Sequence, residues 1–366
     1  MAAFQPRLRV DLDALAHNYD VLVSAATGAE VACVVKANGY GLGVGPVASC
    51  FSAQGCRTFF IHNADEGVEL RKVLPDATIY VLAPVIDTDI DMLLEHRLLP
   101  CLYEWEAVQH FVTSSAATGA RPRAALHVET GINRLGLDAA ALAAYHDSNL
   151  SDALEVALLM SHLACADEPA SPHNRSQLDR FRAIRGDFPD VPASLANSAG
   201  TLLGEDYHFD LVRAGIALYG HDPHYREQPP RVVPVATLEA SLAQVKTVAG
   251  GASVGYGATV SSPTPESVGV VLFGYADGLP RLASEIRGGR SAEVYVAGRR
   301  APLYGRVSMD MMTINLSAFG DDLPPRGAPV EFFGNHVPIE ELAEHVGTIP
   351  YELLTGIGRR VERVYS

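Results

Sequence analysis

One lysine stands at the end of an apolar run, directly before a glycine-rich segment. In VVKANGYGLG, residues 34–43, Lys36 follows two valines and precedes Asn38 and three glycines. Burying an ammonium group is costly unless its charge is paired. This segment alone leaves two interpretations open. Lys36 either extends its charged end to solvent, or it is a desolvated amine that forms a Schiff base with a carbonyl compound.

Further polar and titratable side chains lie in or just after other apolar runs. Taken singly, each has a structural explanation. His162 fits a hydrogen-bonded core histidine, and Arg134 fits a salt bridge within a loop. Arg213 could form an ion pair with Asp210, and Ser198 could cap a helix. The joint pattern favours a functional site, because these residues are predicted at one end of one sheet, beside the lysine.

The residues after two of these runs predict an anion site. The segment 198–200 can begin a helix whose free N–H groups face this end of the sheet, and Gly215 and Ile216 offer main-chain N–H groups nearby. In barrel folds, such loops and helix N-termini commonly bind phosphate. A Schiff-base lysine, a phosphate site and a buried arginine together indicate pyridoxal phosphate as cofactor. We expect no metal site.

Eight short apolar runs alternate with helix-like segments over residues 31–220. Near-continuous apolar strands that alternate with helices indicate a parallel sheet covered on both faces. Eight such units predict a (β/α)8 TIM-type barrel, with the polar residues at the carboxyl ends of its strands. The runs span residues 31–37, 57–63, 78–84, 98–104, 123–129, 154–163, 191–197 and 211–220.

The sequence pattern changes around Pro229, Pro230 and Pro234. Beyond these prolines, Gly and Pro separate strand-like runs, and PIEELAEHVG is the one helical segment that stands out. We therefore predict the barrel over residues 12–229 and a second, mostly β domain over 230–366. A strand within residues 1–11 is expected to join the second domain.

The composition excludes several classes of protein. The chain has 366 residues, of which 48% are hydrophobic, so it can bury a large core. Its formal net charge of −15 argues against a nucleic-acid partner, since such proteins present basic patches. Five cysteines without a CxxC pair indicate free thiols in a reducing compartment. No signal peptide and no membrane-spanning run are recognisable, so we expect a cytoplasmic enzyme without a membrane partner.

The lysine motif resembles that of the alanine racemases, which are barrel-type (fold-type III) pyridoxal phosphate enzymes. VVKANGYGLG is followed, in the family's order, by TGINRLG, SHLACADE, ANSAG, VRAGIALYG, VGYGATV, GYADGLPR, GRVSMDM and TIPYELLTGI. The likeness covers the whole chain, and its most specific parts are the lysine motif and VGYGATV. It implies that L-alanine and D-alanine are interconverted by a homodimer whose subunits share each active site.

The resemblance also implies a role for each site residue. Lys36 would hold the cofactor and serve as one catalytic base, and Tyr256 of the partner subunit would be the base on the opposite face. Arg213 would face the pyridine nitrogen, and His162 would connect it to Tyr256. The residues implied around the cofactor phosphate are Tyr40, Asn197, Ser198, Gly215, Ile216 and Tyr351.

Substrate binding is implied for Arg134 and for the main-chain N–H of Met309 from the partner subunit. Here the chain departs from the family, because many members carry a carbamylated lysine at the position of His127, where it orients the arginine that corresponds to Arg134. Histidine cannot form that stable carbamate. The sequence leaves open whether His127, Glu129, a water or a bound anion takes over this task.

Other functions also remain open. A barrel-type pyridoxal phosphate amino-acid decarboxylase shares the lysine and the two-domain plan, but it typically carries a catalytic cysteine in its β domain. No cysteine follows Cys165 here. A non-catalytic carrier of the cofactor would lack the second domain. A racemase of broader specificity is a further alternative, since a small pocket rejects the added hydroxyl of serine only weakly. Whether D-alanine is made or consumed is also open.

Overall fold

The computed structural model describes residues 5–85, 89–116, 121–284 and 291–366, and it divides into two compact units. The barrel unit comprises Ala14–Gly39 and Val44–Val233. The β unit comprises the segment up to Asp13, Tyr40–Gly43 and Pro234–Ser366. Of the predicted terminal segment 1–11, residues 1–4 lie outside the described residues. The predicted domain limits, 12–229 and 230–366, stay predictions.

Strands occur in both units. They are β1 (Arg7–Val10), β2 (Glu30–Val34), β3 (Thr58–Ile61), β4 (Thr78–Val81), β5 (Leu99–Leu102), β6 (Arg123–His127), β7 (Glu155–Met160), β8 (Ala193–Ser194), β9 (Leu211–Ala214), β10 (Ala236–Val248), β11 (Ser253–Val254), β12 (Val260–Ser261), β13 (Glu266–Val271), β14 (Glu293–Val296), β15 (Arg299–Pro302), β16 (Met312–Asn315), β17 (Pro329–Phe333) and β18 (Glu362–Tyr365).

Right-handed α-helices connect most of the barrel strands and recur near the end of the chain. They are Leu12–Ala25, Val44–Ala53, Ala64–Val73, Ile90–Glu95, Trp105–Ser115, Ala139–His146, Leu150–Ala153, Pro172–Arg185, Ser198–Leu203, Ile339–Val346 and Pro350–Thr355. Short 3-10 turns span Glu205–Tyr207, Ile216–Tyr219, Tyr256–Ala258, Arg281–Ala283 and Ser317–Phe319. Among the described residues, no helix is both long and apolar enough to cross a membrane.

The barrel unit is built on eight parallel strands in the order β8-β7-β6-β5-β4-β3-β2-β9. Their residues are largely buried; all four residues of β3, for example, are buried, as expected for strands covered on both faces. A parallel bridge between Asn197 and Arg213 brings the end of β8 to β9, so the barrel is nearly closed. The predicted (β/α)8 barrel followed by a mostly β domain is confirmed.

The β unit is organised around the long strand β10. β10 pairs antiparallel with β1, β13 and β17, and β1 pairs in parallel with β18 on its other side. The rings of Phe273 and Phe332 lie 4.6 Å apart in its core. The sheet therefore combines a strand from near the start of the sequence with strands from its last third.

Candidate active site

Lys36 lies two residues after β2, and the backbone after it turns with left-handed dihedral angles. The φ angles of Ala37, Asn38 and Tyr40 are +54°, +55° and +53°, and Gly39 between them has a φ of +62°. Only glycine adopts this region without cost, and other residues lose about 1–2 kcal/mol each. The turn therefore needs support from outside itself.

Glu66 and Asn38 supply that support. Glu66 Oε1 accepts the N–H of Ala37 and its Oε2 accepts the N–H of His62, both over 2.8 Å. Asn38 Oδ1 accepts the N–H of Val44 over 2.9 Å. Glu66 was not among the predicted site residues. The signal was present in the sequence NADE (63–66), because a polar cap followed three residues later by glutamate is a helix-start pattern.

The environment of Lys36 favours its neutral amine. Burial lowers the pKa of Lys36 first, the positive charge of Arg134 lowers it further, and the carboxylate of Glu66 opposes both effects. Lys36 is partly buried, whereas Lys72 and Lys246, the other two lysines of the sequence, are exposed. The structure therefore gives Lys36 the desolvated position that nucleophilic chemistry requires.

Arg213 lies in β9 with only 4% of its surface exposed, and neutral groups surround it. Its Nη1 donates to the carbonyl oxygen and the hydroxyl of Ser194, over 3.0 and 2.6 Å, and its Nη2 donates to the carbonyl oxygen of Ser161 over 2.6 Å. The alternative of an ion pair with Asp210 is wrong, because Asp210 instead accepts from Ala193 N–H and pairs with Arg185. Burial lowers the pKa of Arg213 to about 10, so the group stays charged at neutral pH.

His162 lies two residues after β7 and accepts a hydrogen bond from Arg213. Nη2 of Arg213 is 3.2 Å from Nδ1 of His162, and this assigns the ring proton to Nε2 because a guanidinium can only donate. Burial, followed by the charges of Arg213 and Arg134, holds the pKa of His162 well below its ordinary value. The ring is therefore neutral at physiological pH.

His127 ends β6, and its ring centroid lies 4.9 Å from that of Tyr103. Its Nδ1 is buried and has no hydrogen-bond partner among the described residues. Burial, Arg213 and Arg134 lower its pKa to about 3. The carboxylate of Glu129 accepts the N–H of Gly131 in its own loop. Among the described residues, neither side chain forms a hydrogen bond to Arg134.

The segment after β8 differs from the prediction in one respect. Asn197, and not Ser198, is the helix N-cap: Asn197 Oδ1 accepts the N–H of Gly200 over 2.8 Å. The hydroxyl oxygen of Ser198 instead accepts the N–H groups of Gly215 and Ala217, over 2.8 and 3.3 Å. Asn and Ser are about equally good N-cap residues, so residue type alone does not decide which of Asn197 and Ser198 caps the helix. The hydroxyl hydrogen of Ser198 stays available as a donor.

Two helical segments begin after neighbouring barrel strands. Helix Ser198–Leu203 follows β8, and the 3-10 turn Ile216–Tyr219 follows β9. Helix starts leave main-chain N–H groups without internal partners. Ser198, Gly215 and Ile216 are therefore brought together at the predicted anion site, with Gly215 already hydrogen-bonded to Ser198. Such donors fit a phosphate group.

Tyr40 and Tyr351 belong to the β unit and lie close together within it. Their ring centroids are 6.3 Å apart, and Tyr40 is buried. Burial and the neighbouring Tyr351 raise the pKa of Tyr40, so its phenol keeps its proton and can donate. The two residues form a pair of aromatic hydroxyl groups, as a phosphate site can use.

Tyr256 and Met309 also belong to the β unit, and both are exposed, at 71% and 53%. Tyr256 begins a 3-10 turn in which Gly257 has a φ of +74°. This positive φ favours glycine at position 257. Tyr256 is thus presented on a tightly specified turn.

Within the barrel unit, the structure brings four predicted residues into electrostatic contact. The charges of Arg213, Arg134 and Lys36 all act on His162. Arg134, Arg213 and Lys36 make no ion pair among the described residues. A site with uncompensated cations and main-chain donors fits an anionic ligand such as pyridoxal phosphate, and the amine of Lys36 fits its aldehyde.

Two family models match the sequence. The N-terminal domain of alanine racemase matches residues 10–223, and the C-terminal domain of alanine racemase matches residues 235–365. Among curated proteins, an alanine racemase of Rhizobium meliloti (strain 1021) is 41% identical over 368 residues, covering 98% of this chain and 96% of that protein.

Solved structures agree with the sequence match. An alanine racemase from Bartonella henselae with covalently bound pyridoxal phosphate has a TM-score of 0.93 and 33% identity, and 99% of each chain is covered. An alanine racemase from Streptomyces coelicolor A3(2) has a TM-score of 0.91 and 35% identity, with 99% of this chain and 98% of that chain covered. By sequence and by fold, the chain belongs to the alanine racemase family.

Proposed function

We propose that the chain interconverts L-alanine and D-alanine with pyridoxal phosphate as cofactor, and that Lys36 and Tyr256 are the two bases. The observation that carries the proposal is the environment of Lys36. It is the only partly buried lysine in the chain, its pKa is lowered, and the positive charge of Arg134 acts on it. Such a site supports an amine that holds a carbonyl cofactor and binds anions.

Racemisation requires a proton to leave one face of the substrate Cα and another to arrive on the opposite face. When bound, pyridoxal phosphate acidifies that Cα–H by delocalising the charge left behind. The amine of Lys36 takes or returns the proton on one face at Nζ. The phenol of Tyr256, contributed by the partner subunit, does the same on the other face at Oη.

The remaining residues bind and orient. Ser198, Ile216, Tyr40 and Tyr351 hold the phosphate as hydrogen-bond donors. Gly215 lies beside it and fixes the Ser198 hydroxyl through its N–H, and Asn197 fixes the helix that carries Ser198. These assignments rest on the donor sets described above and on the family likeness.

Arg134 and the main-chain N–H of Met309 from the partner subunit bind the substrate carboxylate. Arg213 holds the cofactor's ring nitrogen, to which a guanidinium donates a hydrogen bond without readily giving up its proton. His162 positions Arg213 through the bond to its Nδ1.

A shared active site requires a dimer, and the β unit offers a surface for it. Large apolar or aromatic side chains are exposed there, namely Tyr256, Tyr275, Leu282, Met309, Met311 and Ile349. Clusters of such residues favour a protein partner. We propose a homodimer in which these residues face the second subunit, and a cytoplasmic location, where the five free cysteines stay reduced.

The test is to trap the cofactor on its lysine. Borohydride reduction of the holoenzyme, followed by digestion and mass spectrometry, should place pyridoxyl phosphate on Lys36 and leave Lys72 and Lys246 unmodified. The variant Lys36→Ala should carry no label and should not racemise alanine. Label on Lys72 or Lys246, or full activity in Lys36→Ala, would overturn the proposal.

A further inference from the structure

A cavity of about 390 Å³ opens at the end of the barrel where the strands begin. Thr78, Leu99 and Arg123 line it, and they are the first residues of β4, β5 and β6. Lys36 follows the carboxyl end of β2. In a barrel of parallel strands, all carboxyl ends lie at one end of the barrel and all amino ends at the other. The cavity is therefore separate from the candidate active site.

Four arginines line this cavity, which we call the arginine cavity: Arg71, Arg97, Arg121 and Arg123. Asp76 is the one carboxylate in its described lining. The chain as a whole has a formal net charge of −15, so the excess of positive charge here is local. Burial and the neighbouring charge of Arg97 lower the pKa of Arg71, as expected when cations are held close together.

Arg71 holds the walls of the arginine cavity together through hydrogen bonds to main-chain carbonyl oxygens. Its Nε donates to the carbonyl oxygen of His96 over 3.0 Å, its Nη1 to that of Ala77 over 2.7 Å, and its Nη2 to that of Arg97 over 2.9 Å. These bonds connect the segments that precede β4 and β5. Arg71 is a structural element of the cavity, and its bonds to neutral carbonyls leave its charge in place.

Arg97 and Arg121 are different, because most of their donors have no partner among the described residues. Nη2 of Arg97 donates to the carbonyl oxygen of Pro75 over 3.0 Å, and Nη2 of Arg121 donates to that of Leu154 over 2.8 Å. Within the described parts of the chain neither forms an ion pair, whereas Arg123 pairs with Glu155 over 2.7 Å. A guanidinium has five N–H donors. Arg97 and Arg121 are therefore positioned by the protein and left with donors for a ligand.

Much of the remaining lining is apolar, and Pro75, Ala77 and Leu94 are the apolar lining residues that keep accessible surface beside the arginines. Small-molecule sites have volumes of about 300–1,000 Å³ and combine apolar walls with a few placed polar groups. Guanidinium groups bind phosphate through paired N–H donors. Two unpaired arginines match the charge of a phosphate dianion, and the apolar wall matches an organic body.

We propose that the arginine cavity binds a small organic phosphate whose dianion lies between Arg97 and Arg121 and whose apolar or aromatic body packs against Pro75, Ala77 and Leu94. The site is independent of the chemistry at Lys36. It would make the protein responsive to a phosphorylated metabolite at a distance from the candidate active site.

The test is a calorimetric titration of the borohydride-reduced holoenzyme, in which the candidate active site already holds its cofactor. Adenosine monophosphate should bind once per chain, more tightly than inorganic phosphate, and more weakly as salt is raised. Arg97→Gln and Arg121→Gln should each weaken binding about tenfold, and the double variant should abolish it.

The matched control is Arg57→Gln. Arg57 is an exposed arginine of the barrel unit that also donates to main-chain carbonyls, but it does not line the cavity. It should bind adenosine monophosphate as the unmodified protein does. Circular dichroism confirms that each variant is folded. No binding by the unmodified protein, equal binding by the folded double variant, or binding of inorganic phosphate as tight as that of adenosine monophosphate would each overturn the proposal.

Discussion

Arg213 donates a hydrogen bond to Nδ1 of His162 across 3.2 Å, although both residues are nominally basic. The bond exists only while the imidazole is neutral, since a protonated ring has no acceptor. The buried guanidinium therefore fixes both the charge and the tautomer of its neighbour. The N–H at Nε2 of His162 remains as a hydrogen-bond donor in a fixed position. Such a donor suits a residue that orients a side chain involved in proton transfer.

Replacing Arg213 by lysine should destabilise the barrel. An ammonium group cannot reach Ser194, Ser161 and His162 together, so buried acceptors would lose their donors. We expect the free energy of unfolding to fall by about 2–4 kcal/mol, measured by urea denaturation. Arg182→Lys is the control, because Arg182 forms an exposed ion pair with Asp206 and should cost less than about 1 kcal/mol. Equal losses in the two variants would contradict the role assigned to Arg213.

The stability of the protein should depend on pH through His127. Its pKa is about 3 in the folded protein, against 6.5 for the free side chain, so the unfolded chain binds a proton that the folded chain does not. Between these values, stability is lost as pH falls, by about 1.4 kcal/mol per pH unit for each such histidine.

His127→Gln should remove this contribution. Urea denaturation at pH 7, 6 and 5 should show that the variant loses less stability on acidification than the unmodified protein does. His17→Gln, a change at an exposed histidine of helix Leu12–Ala25, should keep the original pH dependence. If the free energy of unfolding fell equally with pH in the unmodified protein and in His127→Gln, His127 would not be buried as a neutral ring.

Removing the carboxylate of Glu66 should loosen the turn that carries Lys36. In Glu66→Ala, the N–H groups of Ala37 and His62 lose their acceptor, which costs about 1–3 kcal/mol. We expect racemase activity to fall about tenfold and borohydride labelling of Lys36 to become incomplete. Glu69→Ala, on the exposed face of the same helix, should change neither measurement. Unchanged labelling in Glu66→Ala would show that the turn holds without this support.

Tyr256→Phe should impair the two enantiomers of alanine unequally. The variant keeps the aromatic ring and removes the phenolic oxygen, so proton transfer on one face of the substrate is lost while Lys36 still acts on the other. Single-turnover exchange of the α-proton in deuterium oxide, followed separately for L-alanine and D-alanine, measures this. Equal impairment of both enantiomers would count against two bases on opposite faces.

Much of the barrel was predictable because buried parallel strands have a distinctive sequence. Each of the eight apolar runs overlaps a barrel strand; TIYVLAP, for example, contains β4 and LLPCLYE contains β5. Helix Ile339–Val346 was predicted within PIEELAEHVG as well. In contrast, β11, β12, β15 and β16 were not recognised. They are only two to four residues long, too short for alternation to be detected.

The candidate site was predictable in its residue types but not in its contacts. Lys36 and Arg213 stood out because charged side chains are rare in apolar runs. Nothing local indicated that Ala37, Asn38 and Tyr40 adopt left-handed backbone, since the contacts that hold this turn come from the distant Glu66. The choice of Asn197 over Ser198 as cap also depended on tertiary structure, since Gly215 and Ala217 engage the serine hydroxyl.

β1 lies between β10 and β18, and Arg7 bonds to Glu362, 355 residues away in sequence. During translation, β1 leaves the ribosome long before either neighbour exists, and the entire barrel is synthesised in between. No amino-terminal fragment of this protein can complete the sheet to which β1 belongs. Nascent chains must therefore keep that strand from pairing wrongly until β10 and β18 have been synthesised.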